Sequence, residues 1–210
     1  MDILGNQAFA DIIFRVSVLL FSIVIHEVSH GATAYALGDS TAKDAGRLTL
    51  NPFPHLDFVG SVLMPLFVGI GWAKPVPYNP HNLRNRRWGP LLVGIAGPLS
   101  NIAVAAFFGI FIKYRDSLAF SFFDSSFFVF AEGIVFLNLM LAVFNLVPIP
   151  PLDGSKVLFA FLPRNFAAFE IFMEQYGVFI LLILFFVFQP IFVSFLIPAV
   201  SLLFGILTGL

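Results

Sequence analysis

The chain alternates between long apolar runs and short polar connections, a pattern typical of a protein that crosses a membrane several times. Four apolar runs are long enough for helices of membrane length, and they cover about residues 9–37, 89–112, 127–146 and 177–210. The last run is too long for one straight crossing, which needs about 20 residues. It therefore predicts one spanning helix together with a second helix or an interfacial segment.

The connection between the first two runs contains three kinds of sequence. Residues 43–54 are polar, with a short alternating stretch at residues 47–50 and a proline-rich break at residues 51–54. This predicts a surface strand or hairpin. Residues 58–72 are apolar, but they span only about 15 residues, less than a full crossing needs. The prolines within residues 74–80 prevent a regular helix, so that stretch is expected to be extended.

Composition supports the membrane interpretation and excludes several functions. Hydrophobic residues make up 59% of the chain, charged residues only 11%, and the mean hydropathy is +0.96. No soluble domain of this length needs so much apolar surface, so the chain is predicted to be polytopic. The net charge of −1 gives no indication of nucleic acid binding. The sequence contains no cysteine, which excludes disulfides, thiolate zinc ligands and thiol catalysis.

The strongest chemical motif lies inside the first apolar run, at His26-Glu27-Val28-Ser29-His30. On a helix this HExxH spacing puts two imidazoles one turn apart on the same face, where both can bind one zinc ion. Glu27 then lies beside the metal and can take a proton from a bound water molecule. Because ionisable residues are costly within a membrane, this cluster is a candidate functional site.

A catalytic zinc ion usually has three protein ligands and an open position for water. The two other histidines, His55 and His81, lie in polar loops, where a lone histidine is more often solvated. Asp153 is the better candidate, since it follows an apolar helix and a proline run that must unwind the backbone. An aspartate before glycine is also common in ordinary turns, so spacing alone leaves both interpretations open.

If Asp153 lies beside the histidine pair, the chain between them must cross the membrane an even number of times. The runs at 89–112 and 127–146 would leave one side of the membrane and return to it. Residues 38–88 must then begin and end on that same side. The segment around 58–73 is therefore predicted to be re-entrant or a short dip, because irregular backbone is tolerated at depth where it lines a protein cavity.

Several separated motifs together resemble the site-2 protease family of intramembrane zinc metalloproteases. The first is the HExxH motif, and the second is the block from Asn145 to Gly154, which matches the pattern NxxPxPxxDG. Shorter matches are residues 46–52, 55–57, 71–77 and 97–101. The resemblance covers about residues 15–165 and is greatest to the small, mostly bacterial branch that lacks a PDZ domain.

The resemblance implies that His26, His30 and Asp153 bind Zn²⁺ and that Glu27 is the general base. It implies as substrate a membrane-embedded protein, cut in or near a transmembrane segment. Asn101 and Asn145 are the candidate polar contacts for the substrate backbone, with interhelical hydrogen bonding as the alternative. Two rival functions stay open: a metal-ion transporter that uses the same histidines and aspartate, and a non-catalytic scaffold.

The predicted fold is a polytopic all-α membrane protein with about five to six apolar helices, a short β-hairpin or strand region and a re-entrant segment around 58–73. We expect one domain over residues 1–210, with the catalytic core at about 9–165 and C-terminal apolar helices at about 176–210. Eight basic residues fall on the side of the motif: Lys43, Arg47, Lys74, Arg84, Arg86, Arg87, Lys156 and Arg164. The positive-inside rule therefore places the active-site side of this cell-membrane protein in the cytoplasm.

Overall fold

The computed structural model describes residues 3–57, 73–116 and 124–210, and within these ranges the chain is helical. Seven α-helices are present in the described residues: α1 (Ile3–Ala36), α2 (Thr41–Asp44), α3 (Gly89–Lys113), α4 (Ser125–Asn145), α5 (Gly154–Phe161), α6 (Ala167–Phe186) and α7 (Gln189–Thr208). Three short 3-10 helices lie between them: Phe53–His55, Pro80–Asn82 and Arg164–Phe166.

Five of the described helices are long and apolar enough to cross a membrane, namely α1, α3, α4, α6 and α7. Helices suit this environment because each satisfies its own backbone hydrogen bonds where water is absent. Many of their large apolar side chains are exposed in the isolated chain. This finding confirms the prediction of a mostly helical protein with about five to six apolar helices.

Helix α3 is the centre of the bundle, in contact with α1, α4, α5 and α7. A buried apolar cluster joins α3, α4 and α7 through Ala105, Ile112, Val135, Leu139 and Val200. One end of the bundle contains the last residues of α1 and α4 and the first residues of α3. We call it the motif end. The small helix α5 packs against the first half of α3 at this end.

The connection from α1 to α3 returns to its starting point, as the parity argument predicts. The backbone N–H of Arg84 donates to the carbonyl of Leu37 over 2.9 Å. Within this connection the N–H of Lys74 donates to the carbonyl of His55, also over 2.9 Å. The predicted re-entrant segment falls almost wholly on residues 58–72, outside the described residues. Its two flanks, however, lie side by side.

The predicted strand or hairpin at residues 43–54 is wrong, because the described residues contain no strand there. The segment instead forms the end of α2, a turn at Gly46 with a φ of +66°, and the 3-10 helix Phe53–His55. Short polar side chains take the place of a partner strand: the Asn51 N–H donates to Thr49 Oγ1 and the Phe53 N–H to Asn51 Oδ1. Such local hydrogen bonds compete with sheet pairing.

The C-terminal apolar run divides into two helices just before Pro190. Helix α7 runs away from the motif end, since Phe192 near its start contacts Phe144 of α4 and Leu207 near its end lies beside Gly109. Helix α6 follows the motif end instead, with Gly177 against Pro150, and with Leu184 and Leu146 lining the same cavity. This agrees with the prediction of one spanning helix and a second helix in this region.

Candidate metal centre

Helix α1 holds the two histidines of the HExxH motif on one buried face. The rings of His26 and His30 lie 4.6 Å apart between centroids and are almost perpendicular, at 86°. Both side chains are buried, at 6% and 7% exposure. One helical turn between them is what the i, i+4 spacing requires.

Asp153 joins the histidine pair from the residue immediately before α5. Its Oδ2 atom lies 3.0 Å from Nε2 of His26 and 3.0 Å from Nε2 of His30. The approach is possible because Gly154 has no side chain: a Cβ there would lie only 2.2 Å from the carbonyl oxygen of Leu146. The structure therefore brings together the three residues that the sequence singled out.

The tautomers of both histidines follow from their other ring nitrogens. Nδ1–H of His26 donates to Oδ1 of Asn101 over 2.6 Å, and Nδ1–H of His30 donates to the backbone carbonyl of Val93 over 2.6 Å. Because an oxygen of this kind can only accept, each Nδ1 carries the proton. Each Nε2 then presents a lone pair toward Asp153, which is the state that binds metal.

Gly97 of α3 leaves the space that this arrangement needs. A Cβ atom at residue 97 would lie 2.5 Å from Nε2 of His26 and 2.5 Å from Nε2 of His30. Such distances are far below ordinary van der Waals contact, so only glycine allows α3 to approach the pair this closely.

The three donors fit a zinc ion by chemistry and by spacing. Two imidazole nitrogens and one carboxylate oxygen lie within 4.8 Å of one another. This donor set is typical of catalytic zinc, which usually keeps a fourth coordination position for water.

The second oxygen of Asp153 has its own partner. Nζ of Lys156, one turn along α5, donates to Oδ1 over 2.9 Å. Lys156 is itself packed closely against α3, since a Cβ at Gly94 would lie 2.9 Å from its Cβ. The ammonium therefore fixes the rotation of the carboxylate and directs Oδ2 toward the histidines.

Glu27 is half-buried beside the pair and is bound to the proline-rich stretch. Its Oε2 atom accepts a hydrogen bond from the backbone N–H of Val76 over 2.8 Å. Val76 is buried and lies close to α1 at Gly31, where a Cβ would come within 2.8 Å of its side chain. The backbone at residues 74–78 thus covers Glu27, and this stretch contains no helix, as its prolines predict.

Asn101 is fully buried and acts on His26 in the structure. Besides accepting from His26, its amide donates to Oδ1 of Asn138 over 2.9 Å and approaches the carbonyl of Ser22 at 3.4 Å. Asn138 in turn donates to the carbonyl of Ile134. These contacts agree with the interhelical alternative for Asn101, and its prediction as a substrate contact stays a prediction.

The other candidates lie elsewhere. Asn145, at the end of α4, is half-buried and donates to the carbonyl of Leu141 on its own helix. His55 is buried, with Nε2 2.9 Å from the carbonyl oxygen of Thr49. His81 is exposed. Neither histidine belongs to the described cluster of possible metal ligands.

Two positioning groups were not identified from the sequence. Asn138 lies in the middle of an apolar helix, and its polarity there was a signal that it has a buried partner. Lys156 was counted only as a charge on one side of the membrane. Its contact with Asp153 could have been predicted, because an i, i+3 spacing places both residues on one helical face.

Comparison with known proteins gives a consistent result. Residues 116–184 match the model of peptidase family M50, a region that includes Asp153. The chain is 39% identical over 180 residues to the Bacillus subtilis protein named "Putative zinc metalloprotease YwhC", which covers 82% of this chain and 80% of that protein.

More distant relatives carry similar names. The chain is 33% identical over 147 residues to "Putative zinc metalloprotease Rip2" of Mycolicibacterium smegmatis, covering 66% of the chain and 53% of Rip2. It is 28% identical over 167 residues to "Zinc metalloprotease MJ0392" of Methanocaldococcus jannaschii, covering 79% of the chain and 39% of that protein. A search of solved structures finds no significant match.

Proposed function

Because the chain belongs to peptidase family M50, the site-2 protease family of membrane zinc metalloproteases, we propose that it hydrolyses a peptide bond in or near a transmembrane segment of a membrane protein. It is a multi-pass membrane protein with zinc as its cofactor. The observation that carries the proposal is the convergence of two imidazoles and one carboxylate within 4.8 Å, in a bundle of apolar helices.

We assign the zinc ligands to Nε2 of His26, Nε2 of His30 and Oδ2 of Asp153. The support is the tautomer of each ring, which leaves Nε2 unprotonated, and the common distance of 3.0 Å to Oδ2. A bound zinc ion supplies an acidified water molecule and polarises the carbonyl of the scissile peptide.

Glu27 is proposed as the general base. Its carboxylate is adjacent to His26 on α1, and Oε1 has no hydrogen-bond partner among the described residues. Oε2, held by the N–H of Val76 over 2.8 Å, orients the group. In this role a carboxylate oxygen takes the proton of the attacking water and then delivers it to the leaving amine.

The substrate backbone is proposed to contact Asn145 and the backbone of the 74–78 stretch. An unwound peptide can pair with extended backbone by strand addition. Within that stretch the N–H groups of Lys74 and Val76 are already used, so the carbonyls of Val76 and Tyr78 are the candidate acceptors. Asn101 is proposed to orient His26.

Cleavage of a single-span model substrate in detergent tests the proposal. The wild-type chain is expected to cut the substrate, whereas Glu27→Gln is expected to lose at least roughly a hundredfold in rate because it removes the base. Zinc content is measured in both proteins as the control. Equal cleavage by both proteins would exclude Glu27 as the base, and zinc bound without cleavage by either, together with zinc flux in vesicles, would favour the transporter.

A further inference from the structure

A separate cavity of about 550 Å³ lies at the motif end, away from the histidine pair. One wall is the start of α3, with Arg86 and Arg87 just before it. The opposite wall is α5 with the turn that follows it and the first turn of α6, which carries Glu170. None of the residues of the metal centre lines this cavity.

The cavity lies beside the first turns of two apolar helices, which is where lipid headgroups are expected. Both α3 and α6 are apolar helices that begin beside it, at Gly89 and Ala167. Trp88 packs edge-on against Phe161 with ring centroids 5.4 Å apart, and both rings are exposed. Exposed tryptophan at the end of an apolar helix is typical of the membrane–water interface.

The cavity presents charges of both signs that do not neutralise each other. Among the described residues no ion pair within 4.0 Å involves Arg86, Arg87 or Glu170. Both arginines are exposed, while Glu170 is half-buried on the opposite wall, and Glu174 follows it one turn later on the same helix face. Between these walls the floor is apolar, with Pro90, Phe159 and Leu162.

We propose that this cavity binds the headgroup of phosphatidylethanolamine from the surrounding bilayer. The guanidinium groups of Arg86 and Arg87 receive the phosphate, since arginine forms paired hydrogen bonds with phosphate oxygens. The carboxylate of Glu170 receives the primary ammonium. The apolar floor takes the beginning of the acyl chains.

The charge pattern distinguishes this lipid from other abundant ones. Phosphatidylglycerol offers a phosphate but no cation for Glu170, which would repel its net negative charge. Phosphatidylcholine carries a cation whose methyl groups prevent hydrogen bonding to a carboxylate. Of these three lipids, only phosphatidylethanolamine offers both a phosphate for the two arginines and a primary ammonium for Glu170.

Lipid retention by the purified full-length chain tests the proposal. The chain is reconstituted in phosphatidylcholine nanodiscs with equal minor amounts of phosphatidylethanolamine and phosphatidylglycerol, extracted in mild detergent, and its retained lipids are counted by mass spectrometry. The wild type is expected to retain phosphatidylethanolamine with about tenfold enrichment over the other two lipids. Arg86→Gln combined with Arg87→Gln is expected to lose this enrichment.

Glu170→Gln gives the sharper result, because it is expected to reverse the preference in favour of phosphatidylglycerol. Arg115→Gln, on the opposite end of the bundle, is the matched control and is expected to retain the wild-type preference. Helix content by circular dichroism verifies that each variant is folded. Equal retention of all three lipids by the wild type, or a preference of the wild type for phosphatidylglycerol, would overturn the proposal.

Discussion

At the scale of single residues, the metal centre depends on groups that are not ligands. Asn101 and the carbonyl of Val93 fix the tautomers of the two histidines, Lys156 fixes the carboxylate, and Gly97 leaves space for the rings. Such outer partners commonly change metal affinity by about 10- to 100-fold when removed.

Gly97→Ala is expected to lose zinc while the chain remains folded. The added methyl group would lie 2.5 Å from both Nε2 atoms and would take the space of the metal. Zinc content by elemental analysis checks this, with at least a tenfold weaker affinity expected. Gly133→Ala on α4 is the matched control, since the nearest atom to its new Cβ is 4.0 Å away. Full zinc binding by Gly97→Ala would show that the metal does not lie between the rings and α3.

Lys156→Met is expected to release zinc roughly tenfold faster into a chelator, because Asp153 would be free to rotate. Methionine preserves most of the length and apolar bulk of lysine, so the packing against Gly94 is largely kept. Lys156→Arg restores the hydrogen bond and should restore slow release. Lys43→Met, an exposed lysine on α2, serves as control. If the arginine variant released zinc as fast as the methionine variant, the hydrogen bond to Asp153 would not be the cause.

At the scale of elements, the end of α1 is joined to the connection before α3 by one buried carboxylate. Asp39 accepts hydrogen bonds from the N–H of Asn79 over 2.6 Å, from Nδ2 of Asn82 over 2.8 Å, and from both the N–H and the hydroxyl of Thr41. Burial by itself would raise the pKa of Asp39, but these donors lower it below its usual range.

Asp39→Asn is expected to reduce the free energy of unfolding by about 2 kcal/mol at pH 7, because an amide N–H₂ would then face a donor. The lowered pKa sets the sign of the pH dependence. The carboxylate stabilises the fold fully above its unfolded pKa of about 3.9, and this stability is lost as the pH falls through the lower folded pKa. Thermal unfolding of both proteins at pH 7 and at about pH 2 should therefore show a difference that shrinks in acid. A difference that grew in acid would contradict the assignment, and Asp44→Asn provides the exposed control.

The sequence predicted some elements well and others poorly for physical reasons. Hydrophobic length defined the end of α1 and both ends of α3 and α4 to within a few residues, because a membrane leaves few alternatives to an apolar helix, whereas α1 begins about six residues earlier than predicted. The strand predicted at residues 43–54 failed because alternation over four residues is a weak signal beside local side-chain capping. The course of α6 along the motif end depends on contacts between distant parts of the chain, such as Gly177 with Pro150, and no local pattern encodes them.

In the site, too, residues with a local pattern were predicted from the sequence, and residues that depend on distant contacts were not. His26 and His30 were identifiable because their spacing is local to one helix. Asp153 is 127 residues from His26, so spacing alone left it undecided and only the resemblance to a family favoured it. Asn138 was missed because its role appears only through Asn101, two contacts away from any ligand.

At the scale of the whole molecule, the chain is a bundle with distinct ends. The motif end holds the metal centre, the cavity beside Arg86, and most of the basic residues, whereas Lys113 and Arg115 lie at the other end. The positive-inside rule supports our proposal that the motif end faces the cytoplasm.

Single-cysteine labelling tests this orientation. Because the sequence contains no cysteine, the introduced thiol is the only one in the chain that can react. Asp116→Cys at the far end is expected to react with a membrane-impermeant thiol reagent in intact cells. Asn85→Cys at the motif end is expected to react only after the cells are opened. The reverse pattern would place the active-site side outside.

The most direct test of the central claim is the zinc-to-chain ratio of purified variants, measured by elemental analysis after a brief chelator wash. A ratio near one is expected for the wild type and for Glu27→Gln, since Glu27 is not a ligand. A ratio near zero is expected for His26→Ala and for Asp153→Ala, with His81→Ala retaining the metal as the control. Zinc retained at full ratio by Asp153→Ala, or absent from the wild type, would contradict the assignment of these residues as the metal centre.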